Sequence, residues 1–163
     1  MLRYCKVRDV KSPTRGTNKA AGIDFYIPND FKPIGLWPGD DVLIPSGIKA
    51  EIPEGYMLMG ANKSGVSTSA TACLHAGRTP KPGAFESSVI IGASIVDEDF
   101  QGEIFLQLIN VGRSQIVLKP GMKIEQLVLV PVRYDEPVEV PEEELFKRES
   151  ERGSGALGST GSY

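Results

Sequence analysis

Apolar positions come in short bursts along this chain, and glycine or proline punctuates nearly every burst. Residues 2–7, 20–28, 41–44, 47–52 and 56–60 each read as a strand, as do 89–96, 103–110 and 123–130. Ile48, Ala50 and Ile52 recur at period two, the spacing of one face of a strand. Trp37-Pro38-Gly39-Asp40, Pro53-Glu54-Gly55 and Pro120-Gly121 supply turns between them. This rhythm predicts an all-β protein, an antiparallel sandwich or barrel. Helix enters only as short pieces, at 69–76 and at the acidic run Glu142-Glu143-Glu144. In residues 104–110, apolar side chains fall on both alternations, which predicts a strand covered on both faces.

Composition narrows the class. At 163 residues the chain is one domain, able to bury a core without disulfides or metals. A formal net charge of −3 and the lack of a basic stripe exclude nonspecific nucleic-acid binding. Cys5 and Cys73 form no CxxC pair and are expected as free thiols. No apolar run approaches the roughly 20 residues that span a bilayer. The opening Met1-Leu2-Arg3-Tyr4 lacks the apolar core of a signal peptide, so a cytoplasmic protein is expected.

The chemistry concentrates where strand 89–96 runs into Asp97-Glu98-Asp99, then Phe100-Gln101-Gly102 and strand 103–110. Carboxylates at a tight corner between apolar strands can be desolvated, and desolvation raises a pKa towards the range of a general base. Taken alone, the corner reads first as a solvated acidic hairpin turn. Asp24 alternates with apolar neighbours, and without other information is an exposed strand residue. Lys63-Ser64-Gly65 offers a charge, a hydroxyl and a close backbone, the parts of an anion loop, but is also an ordinary surface tripeptide. Gln126 is a polar break in an apolar strand and needs partners for its amide. His75 is the sole histidine, which leaves histidine triads and multi-histidine metal sites little to build on. Residues 152–163 have the composition of a flexible tail, and also of a phosphate lid: glycines, hydroxyls and Arg152.

The order of these features is informative. Ala20-Ala21-Gly22-Ile23-Asp24, Lys63-Ser64-Gly65, Ile95-Val96-Asp97-Glu98-Asp99-Phe100-Gln101-Gly102, Pro120-Gly121-Met122-Lys123-Ile124-Glu125-Gln126-Leu127 and the segment 152–161 resemble, in sequence, the five motifs of the homotrimeric dUTPase family. The resemblance implies a distorted jelly-roll-like barrel of the β-clip type over residues 1–148. It implies a glycine-rich arm, 149–163, that closes over an active site. It further implies a trimer with shared active sites, and hydrolysis of dUTP to dUMP and pyrophosphate with Mg²⁺ held mainly by the substrate phosphates. Such an activity keeps uracil out of DNA and supplies dUMP for thymidylate synthesis.

By the same resemblance, Asp97 activates the attacking water, Gln126 helps to position it, and Asp24 reaches Mg²⁺ through water. Lys63, Ser64 and Gly65 contact the phosphates, and Arg152 takes the γ-phosphate. Ser94, Ile95 and Val96 meet the uracil edge, Phe100 and Phe105 belong to the substrate pocket, and Leu157 and Gly158 cover the base. Phe100 would pack on the deoxyribose, where a 2′-OH would clash.

Some positions depart from the family pattern. Phe100 stands for tyrosine, Lys63 for arginine, Asn62 for proline and Ser94 for glycine. Leu157 stands for phenylalanine, which forfeits stacking of about 0.5–1.5 kcal/mol. The loop 78–84 is an insertion. An alternative on the same fold is a trimeric dUTP-binding regulatory protein. A dCTP deaminase-like relative is a further one, opposed by the complete glycine-rich arm.

Overall fold

The computed structural model describes residues 1–63, 66, 88–92 and 94–155. The expected helix at 69–76, Cys73, His75 and the loop 78–84 lie outside the described residues, as do Ser64, Gly65, Leu157 and Gly158. The chain divides into two compact units, Met1–Arg133 and Tyr134–Tyr163. In the second, the short acidic helix is present as α1, Glu142–Leu145, with Glu142, Glu143 and Glu144 in its first turn.

The first unit is all-β, as the rhythm of turns predicts. Its strands are β1 (Arg3–Lys6), β2 (Thr14–Arg15), β3 (Gly22–Tyr26), β4 (Ile34–Leu36), β5 (Asp41–Pro45) and β6 (Ile48–Glu51). They continue as β7 (Tyr56–Ala61), β8 (Val89–Ile91), β9 (Ile95–Val96), β10 (Phe105–Asn110), β11 (Ile116–Leu118) and β12 (Lys123–Pro131). Among the described residues they form four antiparallel sheets. The largest has the order β2-β3-β12-β7-β9; β5-β10-β8 is the second, and β1-β6 and β11-β4 are ribbons.

Period-two patterning places the core. Ile44, Ile48, Leu58, Leu106, Leu108, Leu118, Ile124 and Leu127 are essentially inaccessible to solvent. Each buried side chain of this size contributes about 1.5–3 kcal/mol. Asn110 shows how this core treats a polar group. Its amide donates to Leu36 O and Ser114 O, both at 2.9 Å, and its Oδ1 accepts from Gly112 N at 3.1 Å.

Two expectations need correction. Residues 89–96 are not one strand: β8 pairs with β10 and β9 with β7, so the segment changes sheets at Gly92–Ser94. The acidic corner therefore joins two sheets and is not a hairpin, because β10 pairs with β5 and β8. An apolar run carries no mark of where its hydrogen-bonding partner changes. Strand β10, expected to be covered on both faces, buries only Leu106, Leu108 and Asn110 fully. Gln107 and Ile109 are half-buried, and Phe105 is exposed.

Candidate functional site

The predicted residues gather at two places in the first unit. The first lies where β3, β12 and the end of β7 run side by side. Gln126 on β12 stands in register with Asp24 on β3 and Ala61 on β7, so the three side chains share a face of the sheet. The amide of Gln126 donates to Asn62 O at 3.2 Å, and its Oε1 lies over Gly22. A Cβ on Gly22 would come within 2.1 Å of that oxygen, which explains the glycine two residues before Asp24.

Asp24 is buried, contrary to its reading as an exposed strand residue. Lys63 Nζ meets its Oδ1 at 3.0 Å, and Lys123 Nζ meets its Oδ2 at 2.8 Å. Burial on its own would raise the Asp24 pKa. The hydrogen bonds and charges of Lys123 and Lys63 outweigh burial and hold it below the usual carboxylate range. Lys123 also lies 5.6 Å from the centre of the Tyr26 ring, with Lys11 at 4.8 Å and the Tyr26 hydroxyl 2.5 Å from Thr14 Oγ1. Two lysines against one aspartate leave a local excess of positive charge, suited to a phosphate chain.

The second place is a groove of about 450 Å³ lined by Ser94, Ile95, Val96, Asp97, Phe100 and Phe105 together with Leu43, Glu103 and Ile104. Ile95, Phe100 and Phe105 are exposed, an apolar wall beside the carboxylates of Asp97 and Glu103. The corner is fixed from three sides. Phe100 N donates to Asp97 O at 3.2 Å, and Gly55 N donates to Glu98 Oε2 at 2.6 Å. Glu103 accepts from Gly47 N at 2.8 Å and from Arg8 Nε at 2.7 Å. The Arg8 hydrogen bond is the main reason the Glu103 pKa lies below its ordinary value. Gly102 leaves space for the Phe100 ring, whose Cζ would stand 2.4 Å from a Cβ there.

The desolvated acid expected at this corner is not there. Asp97 and Asp99 are exposed, and Glu98 is half-buried with a backbone N–H. The strongly desolvated carboxyl is Glu125, with no exposed surface and a pKa pushed up by burial to about 8. Sequence reasoning missed it, along with Lys123. Both stand in the Pro120–Leu127 stretch, where a charged pair beside Gln126 was the available signal.

The two places do not converge within one chain. Asp97 follows β9, whose Ile95 pairs with Met59, whereas Gln126 pairs with Ala61. At about 3.3 Å per residue and 4.8 Å per strand, that register puts Asp97 on the order of 20 Å from Asp24. Arg152, in the second unit, is exposed, and its Nε donates to Gly155 O at 3.0 Å. Among the described residues no three His, Cys, Asp or Glu side chains group as metal ligands. No helix among them is long and apolar enough to cross a membrane.

Comparison with known proteins supplies the family. The sequence model of the dUTPase family matches residues 8–161. The chain is 42% identical to the deoxyuridine 5'-triphosphate nucleotidohydrolase of Chlamydia pneumoniae, over 91% of this chain and 90% of that protein. It is 35% identical to the protein of the same name from Chlamydia trachomatis serovar L2, over 99% of each. Among solved structures, a mutant of the Staphylococcus bacteriophage 80alpha dUTPase with dUpNHpp superposes with a TM-score of 0.78 at 21% identity. That match covers 99% of this chain and 98% of the phage chain. A mutant dUTPase from phage phi11 of S. aureus, described with a structural Mg(II) ion, has a TM-score of 0.70 at 19% identity, covering 88% and 99%. With motifs, fold and relatives in agreement, this chain belongs to the dUTPase family.

Proposed function

We propose that this chain hydrolyses dUTP to dUMP and pyrophosphate, with Asp97 as the base. The observation that carries the reading is the groove in which Asp97 stands beside Ile95, Val96, Phe100 and Phe105. It offers apolar walls for a nucleoside and, with Glu103 tied to Arg8 and Gly47, the Asp97 carboxylate to activate water. Asp97 takes a proton from the water, whose oxygen bonds to the α-phosphorus. The bridge to the β-phosphate breaks, and pyrophosphate leaves.

The backbone of Ser94, Ile95 and Val96 reads the uracil edge. Phe100 packs on the deoxyribose and excludes a 2′-OH. Lys63, with Ser64 and Gly65, neutralises the phosphates, Gln126 orients the water or a phosphate oxygen, and Arg152 takes the γ-phosphate. Leu157 and Gly158 cover the base. Product dUMP would feed thymidylate synthesis in the cytoplasm.

Mg²⁺ fits this chain as an ion carried in on the triphosphate. Asp24 is the carboxylate within reach of it, through water, but both its oxygens are engaged by lysines, and among the described residues no group of three His, Cys, Asp or Glu side chains forms a metal cage. The ion supplies charge neutralisation on the phosphates. The wide separation of Asp97 from Asp24 supports a site assembled between copies, and hence a trimer.

Pyrophosphate release from dUTP, UTP, dTTP and dCTP tests the reading. Wild type should prefer dUTP, and Asp97→Asn should lose at least about 100-fold in kcat. Full activity in Asp97→Asn would show the base to be another group.

A further inference from the structure

Glu125 is the one buried side chain among the described residues whose polar atoms have no hydrogen-bond partner. Its position follows from an irregularity. The register of β12 against β3 shifts between Lys123 and Glu125, so the consecutive residues Ile124 and Glu125 are both buried. A regular strand would turn one of the two outward.

The carboxyl reaches across the sheet to a gap kept open by Gly60. A Cβ on Gly60 would lie 2.4 Å from Glu125 Oε1 and 2.3 Å from both Cβ and Oγ of Ser94. The two side chains therefore converge over one glycine. Gly60 N donates to Ser94 O at 2.6 Å, and the Ser94 hydroxyl points towards Gly92 O at 3.4 Å. Ser94 opens the segment Ser94-Ile95-Val96, and β9 beyond it is only two residues long. So short a strand has little hydrogen bonding of its own to fix its height.

We propose that Glu125, as a neutral acid, is a positioning residue that braces Ser94 over Gly60 and so sets the edge that Ser94, Ile95 and Val96 present to the nucleobase. The chemistry is complementary. A neutral carboxyl has one O–H to donate, and the Ser94 oxygen, donating towards Gly92, keeps lone pairs to accept it. An ionised carboxylate has only acceptors and would draw water into the core. Among the described residues no charged group shifts the balance against the neutral form. Gly60 on β7, Ser94 before β9 and Phe25, the register partner on β3, are all uncharged, and burial is the sole cause of the raised pKa. This inference rests on the base-recognition role proposed above for Ser94–Val96.

The test is KM and kcat for dUTP from pH 6 to 9.5 in wild type, Glu125→Gln, Glu125→Ala and Ser94→Ala. In wild type KM should rise about three- to tenfold as pH passes 8, the net worth of one hydrogen bond, with kcat changing less. Glu125→Gln keeps a donor that never ionises, so its KM should stay low across the range. Glu125→Ala and Ser94→Ala should show the raised KM at every pH. A wild-type KM without the step, or a step that persists in Glu125→Gln, would overturn the proposal. If wild type did not hydrolyse dUTP at all, the functional reading would fail instead. The brace would then be decided by melting temperatures of the Glu125→Gln, Ser94→Ala and double variants at pH 6. Additive effects would sink it, and coupled effects would support it.

Discussion

Two buried acids on paired strands, Asp24 and Glu125, meet opposite fates. They lie one register step apart, since Asp24 faces Gln126, the neighbour of Glu125. Asp24 turns to the face that carries Lys63 and Lys123 and stays a carboxylate, held below its usual pKa against the pull of burial. Glu125 turns to the face packed by Leu127 and Leu58, finds no cation among the described residues, and is pushed up to about 8. The difference teaches that burial does not fix the charge of a side chain. The partners on its face do.

The contrast makes opposite demands on pH. Glu125 has a folded pKa raised from 4.5 to about 8. Its contribution to stability is complete below about 4.5 and is lost as pH rises towards 8. Asp24 has a lowered folded pKa. Its contribution is present above the ordinary aspartate value and is lost as pH falls through the lower folded value.

The largest expected effect comes from removing the first of these. Between pH 5 and 8.5, chemical denaturation should show Glu125→Gln gaining about 2–5 kcal/mol relative to wild type. A constant difference across that range would mean that Glu125 is ionised in the folded protein or not buried. Next in size is Gly60→Ala, which drives a methyl into both Ser94 and Glu125. A loss of about 1–3 kcal/mol is expected, and the Glu125→Gln variant should not relieve it, because glutamine is equally long. The smallest is Lys123→Met. Lys123 is about a third exposed, so solvent screens the pair, and a cost of about 0.5–1 kcal/mol at pH 7 is expected. That cost should shrink in acid as Asp24 protonates. If it grew instead, Lys123 would be stabilising something other than the Asp24 carboxylate. In the same variant, KM for dUTP should rise if Lys123 adds to the phosphate-binding charge.

Much of this is legible in the sequence alone. Short alternating runs between Gly and Pro turns specified an antiparallel β protein, and the five ordered motifs singled out Asp24, Lys63, Asp97 and Gln126 as candidates. The alternation of β10 revealed its apolar content but not that Phe105 would be exposed at the groove. What the residues could not express was pairing. The break at Gly92–Ser94, where the chain leaves β10 for β7, depends on strands distant in sequence. The burial of Asp24 was equally hidden, because its two lysines come from positions 63 and 123.

The sequence by itself determined the fold class, the order of the motifs and the residue types at the site, because these rest on local periodicity and on chemistry carried within each segment. Tertiary structure alone decided which acids keep their charge. A one-residue slip in the β12 register turns Glu125 into the core and leaves Gln126 facing Asp24. Which way a side chain turns in a sheet is set by the partner strand, and the partner strand is set by the whole fold.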